Sequence, residues 1–119
     1  MKRTFFILLL IGYSQLYSQS DIFDAARNGQ LNEVISIYTK NPDAINLTNY
    51  EGYSPLILAC YHGNKEVVKF LIDKVHSINS TSNYGTPLMA AIVKGDIEII
   101  EMLLSRNAAT NIADVNGTT

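Results

Sequence analysis

Seven residues of one stretch return in register 32 positions later: Pro55, Leu56, Ala59, Gly63, Glu66, Leu71 and Asn79 reappear as Pro87, Leu88, Ala91, Gly95, Glu98, Leu103 and Asn111. A fixed period of this length restricts the chain to one kind of architecture, a line of repeated units that bury their apolar faces against one another. A fainter copy precedes it, with Ala25, Gly29 and Val34 standing 34 residues before Ala59, Gly63 and Val68. Downstream, 114–119 matches the turn at 49–54. The reading is three repeats, at about 21–48, 49–81 and 82–113, with the start of a fourth at 114–119.

Each unit spells out two short helices. Ser54-Pro55-Leu56 opens the first, because a serine hydroxyl accepts an orphan backbone N–H and proline at the first helical position has no N–H to waste. Leu56, Ala59 and Cys60 recur at i, i+3 and i+4 as its inward face, and Gly63 ends it. Asn64 is expected to cap the second helix, which turns Val67, Val68, Leu71 and Ile72 inward and Lys65, Glu66, Lys69 and Asp73 outward. The spacing of Glu66, Lys69 and Asp73 allows weak ion pairs along that outer side. Two-turn helices do not stand alone in water, so the unit needs neighbours of its own kind. The first copy is expected to act as an N-terminal cap, with Ile22, Ala25 and Ala26 inward, Leu31, Val34, Ile37 and Tyr38 on the second helix, and a turn at Asn41-Pro42-Asp43. The third copy's second helix carries Ile97, Ile99, Ile100, Met102, Leu103 and Leu104, more apolar faces than its partner helix covers. That end is expected to self-associate or to meet a further repeat.

These residues resemble the ankyrin repeat. Its turn glycine, Thr-Pro-Leu-His, paired small residues, glycine and Glu-Val-Val…Leu-Leu helix are matched by Gly52, Ser54-Pro55-Leu56, Ala59-Cys60, Gly63, Glu66-Val67-Val68 and Leu71-Ile72. The next copy matches with Gly85-Thr86-Pro87-Leu88, Ala91-Ile92, Gly95, Glu98-Ile99-Ile100 and Leu103-Leu104. Ile57 and Met89 stand where the family has histidine. The resemblance implies an all-α solenoid of helix–turn–helix pairs joined by β-hairpin-like loops.

Residues 1–20 are foreign to this pattern. Lys2 and Arg3 precede an apolar run from Phe5 to Ile11, followed by polar residues and small serines, which is the layout of a secretory signal peptide. Cleavage is expected after Ser18, or after Ser20, leaving a domain from residue 19 onward in the periplasm or outside the cell, with no stable membrane insertion. The sequence is similar in this respect to short exported bacterial ankyrin proteins. Without Lys2 and Arg3, seven basic residues face eleven acidic ones. That balance argues against nucleic acid as a partner, since such binding rests on a Lys/Arg surface. The single cysteine permits no internal disulfide.

No constellation for catalysis, a cofactor or a metal emerges. Cys60 and His62 are two apart on a helix, turned about 200° from one another, and do not make a nucleophile–base pair or share a metal. His76 has no ligand at useful spacing. The asparagines of the three Asn-X-Ser/Thr matches, Asn46, Asn79 and Asn116, are read as structural or chance matches.

What remains is surface. The hairpin tips and the outward positions of the first helices form a concave face, expected to present Tyr50, Glu51, Tyr53, Leu58, Tyr61, His62, Tyr84, Val93 and Lys94 to a partner protein. Tyrosine offers large contact area at low rotamer cost. The expected function is a non-enzymatic protein-binding module. One alternative is an inhibitor or self-protection factor that occludes a cell-envelope enzyme, and a small hydrolase is a more distant one.

Overall fold

The computed structural model describes residues 21–82 and 85–108. The signal-peptide reading of 1–20, the fourth-repeat start at 114–119, and Tyr84 lie outside them. The described chain forms three helix pairs in series: α1 (Ile22–Arg27) with α2 (Leu31–Lys40), α3 (Pro55–Tyr61) with α4 (Lys65–Ile72), and α5 (Pro87–Lys94) with α6 (Ile97–Ser105). A short 3-10 turn, Pro42–Asn46, follows α2 and buries Ala44 and Ile45.

The first helices begin where a side-chain oxygen meets an orphan N–H. Asp21, Ser54 and Thr86 accept from the backbone N–H of Asp24, Ile57 and Met89, at 2.7, 3.1 and 3.3 Å. Proline at the next position of α3 and α5 needs no acceptor.

The first helices stack as a row, α1 on α3 on α5, and the second helices as another, α2 on α4 on α6. Between the rows lies one continuous core that includes Ala25, Val34, Leu56, Ala59, Val68, Leu71, Leu88 and Ile99. Full burial of an Ile, Leu or Val side chain contributes about 1.5–3 kcal/mol. The four inward residues of α4, all buried, therefore hold that helix where its length alone would not.

Two hairpin-like tips project from the row of first helices without forming regular strands. In one, Asn49 N–H donates to the Tyr53 carbonyl, while Asn49 Oδ1 accepts from the N–H groups of Glu51 and Tyr53. In the other, Ser82 and Gly85 exchange backbone bonds of 2.9 and 3.2 Å across an isolated antiparallel bridge.

Three expectations about side chains are corrected here. Asn64 does not cap its own helix: its Nδ2 reaches back and donates to the carbonyls of Ala26 and Arg27, at 2.7 and 2.8 Å. Asp73 pairs with Arg106 of the next repeat, not along α4, and Lys65 reaches Glu98 in the same direction. Leu58, expected on the outer face, is 5 % exposed, and Ile57 beside it is buried too. α3 is clasped between α1 and α5, so nearly its whole circumference is covered and an i, i+3, i+4 stripe understates its burial.

Among the described residues, no further helix pair follows the third. Cys60 and Ile72 are buried, while their counterparts one period later, Ile92 and Leu104, are 55 % and 44 % exposed.

Candidate functional site

A recess of about 580 Å³ opens on the side where the tips and first helices meet. Its floor is Ile57 and Leu58 of α3, with Thr86 and Ala90 on the α5 side and Glu51 and Tyr53 on the tip. Arg27, Tyr61, His62 and Val93 complete the wall at the C-terminal ends of the first helices. Those four arise from one register: Arg27, Tyr61 and Val93 each fall in the last turn of α1, α3 and α5, and His62 is the residue that closes α3.

The sequence-predicted face divides into parts. Glu51, Tyr53, Leu58, Tyr61, His62 and Val93 come together around the recess. Tyr61 and Val93 are the projecting members, 43 % and 75 % exposed, whereas Tyr53 is half-buried against the core. Leu58 contributes as floor and not as a protruding side chain. Tyr50 is almost wholly exposed at the tip and does not line the recess. Lys94 lies beside it, its Nζ 4.4 Å from the centre of the Tyr61 ring. Ile57 and Thr86 were not expected on this face. For Thr86 and Ile57 the only sequence signal was helix opening and an apolar substitution at the family's histidine.

The rings of Tyr61 and His62 meet edge to face, with centroids 5.2 Å apart and planes at 80°. This fixes the imidazole at the rim. Partial withdrawal from water, then the positive charges of Arg27 and Lys94, lower the His62 pKa from its ordinary value. Arg27 itself donates to the Asp24 carboxylate one turn earlier.

Cys60 does not line this recess. It is fully buried, and burial followed by the nearby Asp96 charge pushes its thiol pKa upward, which keeps it protonated and unreactive. Among the described residues, no three His, Cys, Asp or Glu side chains gather as a metal site. Nor is any helix there long and apolar enough to cross a membrane. His76 donates its backbone N–H to Asn46 Oδ1, a bond of 2.8 Å that spans two repeats and gives Asn46 a structural role.

A sequence model of ankyrin repeats, in three copies, matches residues 22–114. Among curated proteins, the chain is 35 % identical over 101 residues to the ankyrin repeat and SAM domain-containing protein 6 of Rattus norvegicus, covering 83 % of this chain and 11 % of that protein. It is 33 % identical over 91 residues to the probable 26S proteasome regulatory subunit p28 of Saccharomyces cerevisiae, covering 71 % of this chain and 40 % of the relative. A third relative is the human BCL-6 corepressor-like protein 1, 30 % identical over 96 residues, which are 80 % of this chain and 5 % of that one. The chain thus spans less than half the length of each of these proteins.

Proposed function

The chain belongs to the ankyrin-repeat family, whose repeats are generally protein-interaction modules, and from that premise we propose that it is a non-enzymatic module that binds a partner protein on its concave face. The observation that carries this reading is the recess of about 580 Å³ with Tyr61 and Val93 projecting at its rim. A repeat framework supplies shape, and specificity resides in the side chains placed upon it. An aromatic ring held by a neighbouring ring and facing solvent is the kind of group that carries binding energy once a partner excludes water from it.

The leader-like composition of 1–20 favours a partner in the periplasm or outside the cell. The test is affinity capture from envelope extract with the tagged domain, beside a Tyr50→Ala, Tyr61→Ala, Val93→Asp variant whose helical circular dichroism is unchanged. Capture by the first and loss by the second is the expected result. Equal capture by both would move the interface off the concave face. Adding the domain to the captured protein, if it is an enzyme, then separates an inhibitor from an adaptor by whether turnover falls stoichiometrically.

A further inference from the structure

Contacts between the second and third repeats show which positions of a repeat face onward. The Tyr61 ring takes the Lys94 ammonium at 4.4 Å, Lys65 meets Glu98 at 3.6 Å, and Asp73 meets Arg106 at 2.6 Å. One period later these three positions are Val93, Ile97 and Ser105, none of them charged. Val93 and Ile97 are 75 % and 67 % exposed, and Ile92 and Leu104 are exposed as well. Ile97 and Leu104 stand seven apart on α6 and so share one stripe. We propose that this end of the array, built on Ile92, Val93, Ile97 and Leu104, is the contact between two copies of the chain related by a two-fold axis.

The same contacts, with the Asn64 clamp, identify the residues that reach backwards: Asn64, Lys94, Glu98 and Arg106. Their counterparts in the first repeat are Gln30, Asn28, Asn32 and Lys40, all polar and exposed. Among the described residues, the head of the array therefore offers no match for an apolar tail, and a head-to-tail stack would set polar groups against Ile97. Tail against tail places apolar side chains on apolar ones, the self-complementarity that an isologous contact requires. The charges on α5 and α6 nearest this face are one of each sign, Lys94 and Glu101, both exposed. An axis parallel to the helices lays α6 over α5 of the second copy. Ile97 then meets the second copy's Ile92 and Val93, while the two Glu101 carboxylates stand apart on opposite flanks.

Helices of eight and nine residues are about 12–14 Å long. Side by side, α5 and α6 present a few hundred Å², short of the about 800 Å² per partner of a stable complex. The pairing is therefore concentration-dependent, with dissociation in the range of roughly 10 µM to 1 mM. It joins chains of formal net charge −2 through apolar side chains, so added salt should leave it unchanged or strengthen it. The pair presents two recesses, and a partner with two matching segments gains by avidity.

Sedimentation equilibrium of the full chain, from about 10 µM to about 1 mM, measures the pairing. The mass should rise from 13.2 kDa towards twice that value. Ile97→Lys gives this end the charge that its counterpart Lys65 carries, and Ile92→Lys sets one on α5. Each change enters a two-fold contact twice and should weaken association at least about tenfold. Ile35→Lys, at an exposed position of α2, should leave it unchanged. Helical circular dichroism checks the fold of each variant. On dilution of the 15N-labelled chain, amide signals of α5 and α6 should shift and those of α1 and α2 should not. A single-chain mass at every concentration overturns the proposal and leaves the tail to a different protein or to further chain. Association that survives both Ile97→Lys and Ile92→Lys, or that Ile35→Lys weakens as much, overturns it too and places the contact elsewhere. Neither result bears on the recess as a partner site, since Ile92 and Ile97 do not line it.

Discussion

Replacing Asn64 separates two physical roles that predict opposite orders of stability. If Asn64 capped α4, Asn64→Asp would be neutral or slightly stabilising, since Asp and Asn cap equally well and a negative charge at a helix start gains about 0.3–1 kcal/mol. Asn64→Ala would then be the damaging change. In the structure Nδ2 instead donates to the carbonyls of Ala26 and Arg27 at the end of α1. Two neutral hydrogen bonds at about 0.5–1.5 kcal/mol each make Asn64→Ala cost about 1–3 kcal/mol, with the lower half expected for a partly buried site. Asn64→Asp loses the same donor and sets a carboxylate oxygen against two carbonyl oxygens at a helix end that is already negative. It should cost at least about 1 kcal/mol more than alanine. Urea unfolding followed by far-ultraviolet circular dichroism measures both variants. Hydrogen exchange should show α1 and α2 losing protection first, because in a linear array a weakened junction releases the repeat beyond it. An aspartate variant as stable as the parent, beside a destabilised alanine variant, would refute the inter-repeat clamp.

The clamp has a second signature in the glycines. Gly29 and Gly95 both adopt φ +71°, and Gly95→Ala should cost only the left-handed conformation, about 1–2 kcal/mol, since an added Cβ there meets nothing within 4 Å. Gly29→Ala should cost roughly 1 kcal/mol more by thermal or urea unfolding, because its Cβ would lie 2.9 Å from Asn64 Oδ1 and displace the clamp. Asp73 receives two bonds from Arg106 at 2.6 and 3.2 Å, and that hydrogen bonding holds its carboxyl pKa below the ordinary value. A carboxylate whose pKa is depressed in the folded state adds stability that is present above the unfolded pKa and lost as pH falls through the folded one. Arg106→Gln should remove that acid-sensitive part, seen as a flatter stability profile on the acid side in urea unfolding at a series of pH values.

Much of the fold was legible because the signals that set it are local and repeated. Ser54, Thr86 and Asp21 open helices in any surroundings that leave an N–H unpaired, and proline after Ser54 and Thr86 reinforces the start. The apolar spacing of Val67, Val68, Leu71 and Ile72 faces them to one side whatever lies there. The site was legible only in outline. Tyr61, His62, Val93 and Glu51 were placed by register, but the stripe that put Leu58 outside assumed a helix covered on one flank, and α3 is covered on both.

The chain's sequence by itself determined the period, the starts of the first helices, the inward residues of α4 and hence the ankyrin architecture, because each follows from contacts within one repeat or from the recurrence of that repeat. Tertiary structure alone decided where polar side chains find partners. Asn64 reaches 38 residues back to Ala26, Asp73 reaches 33 forward to Arg106, and Asn46 bonds His76 across 30. It also decided that Arg27, Tyr61, His62 and Val93 share one wall around a recess floored by Leu58. The stacking offset of successive repeats sets which side chains meet, and that offset emerges from packing the helices together, not from the spacing within any one of them.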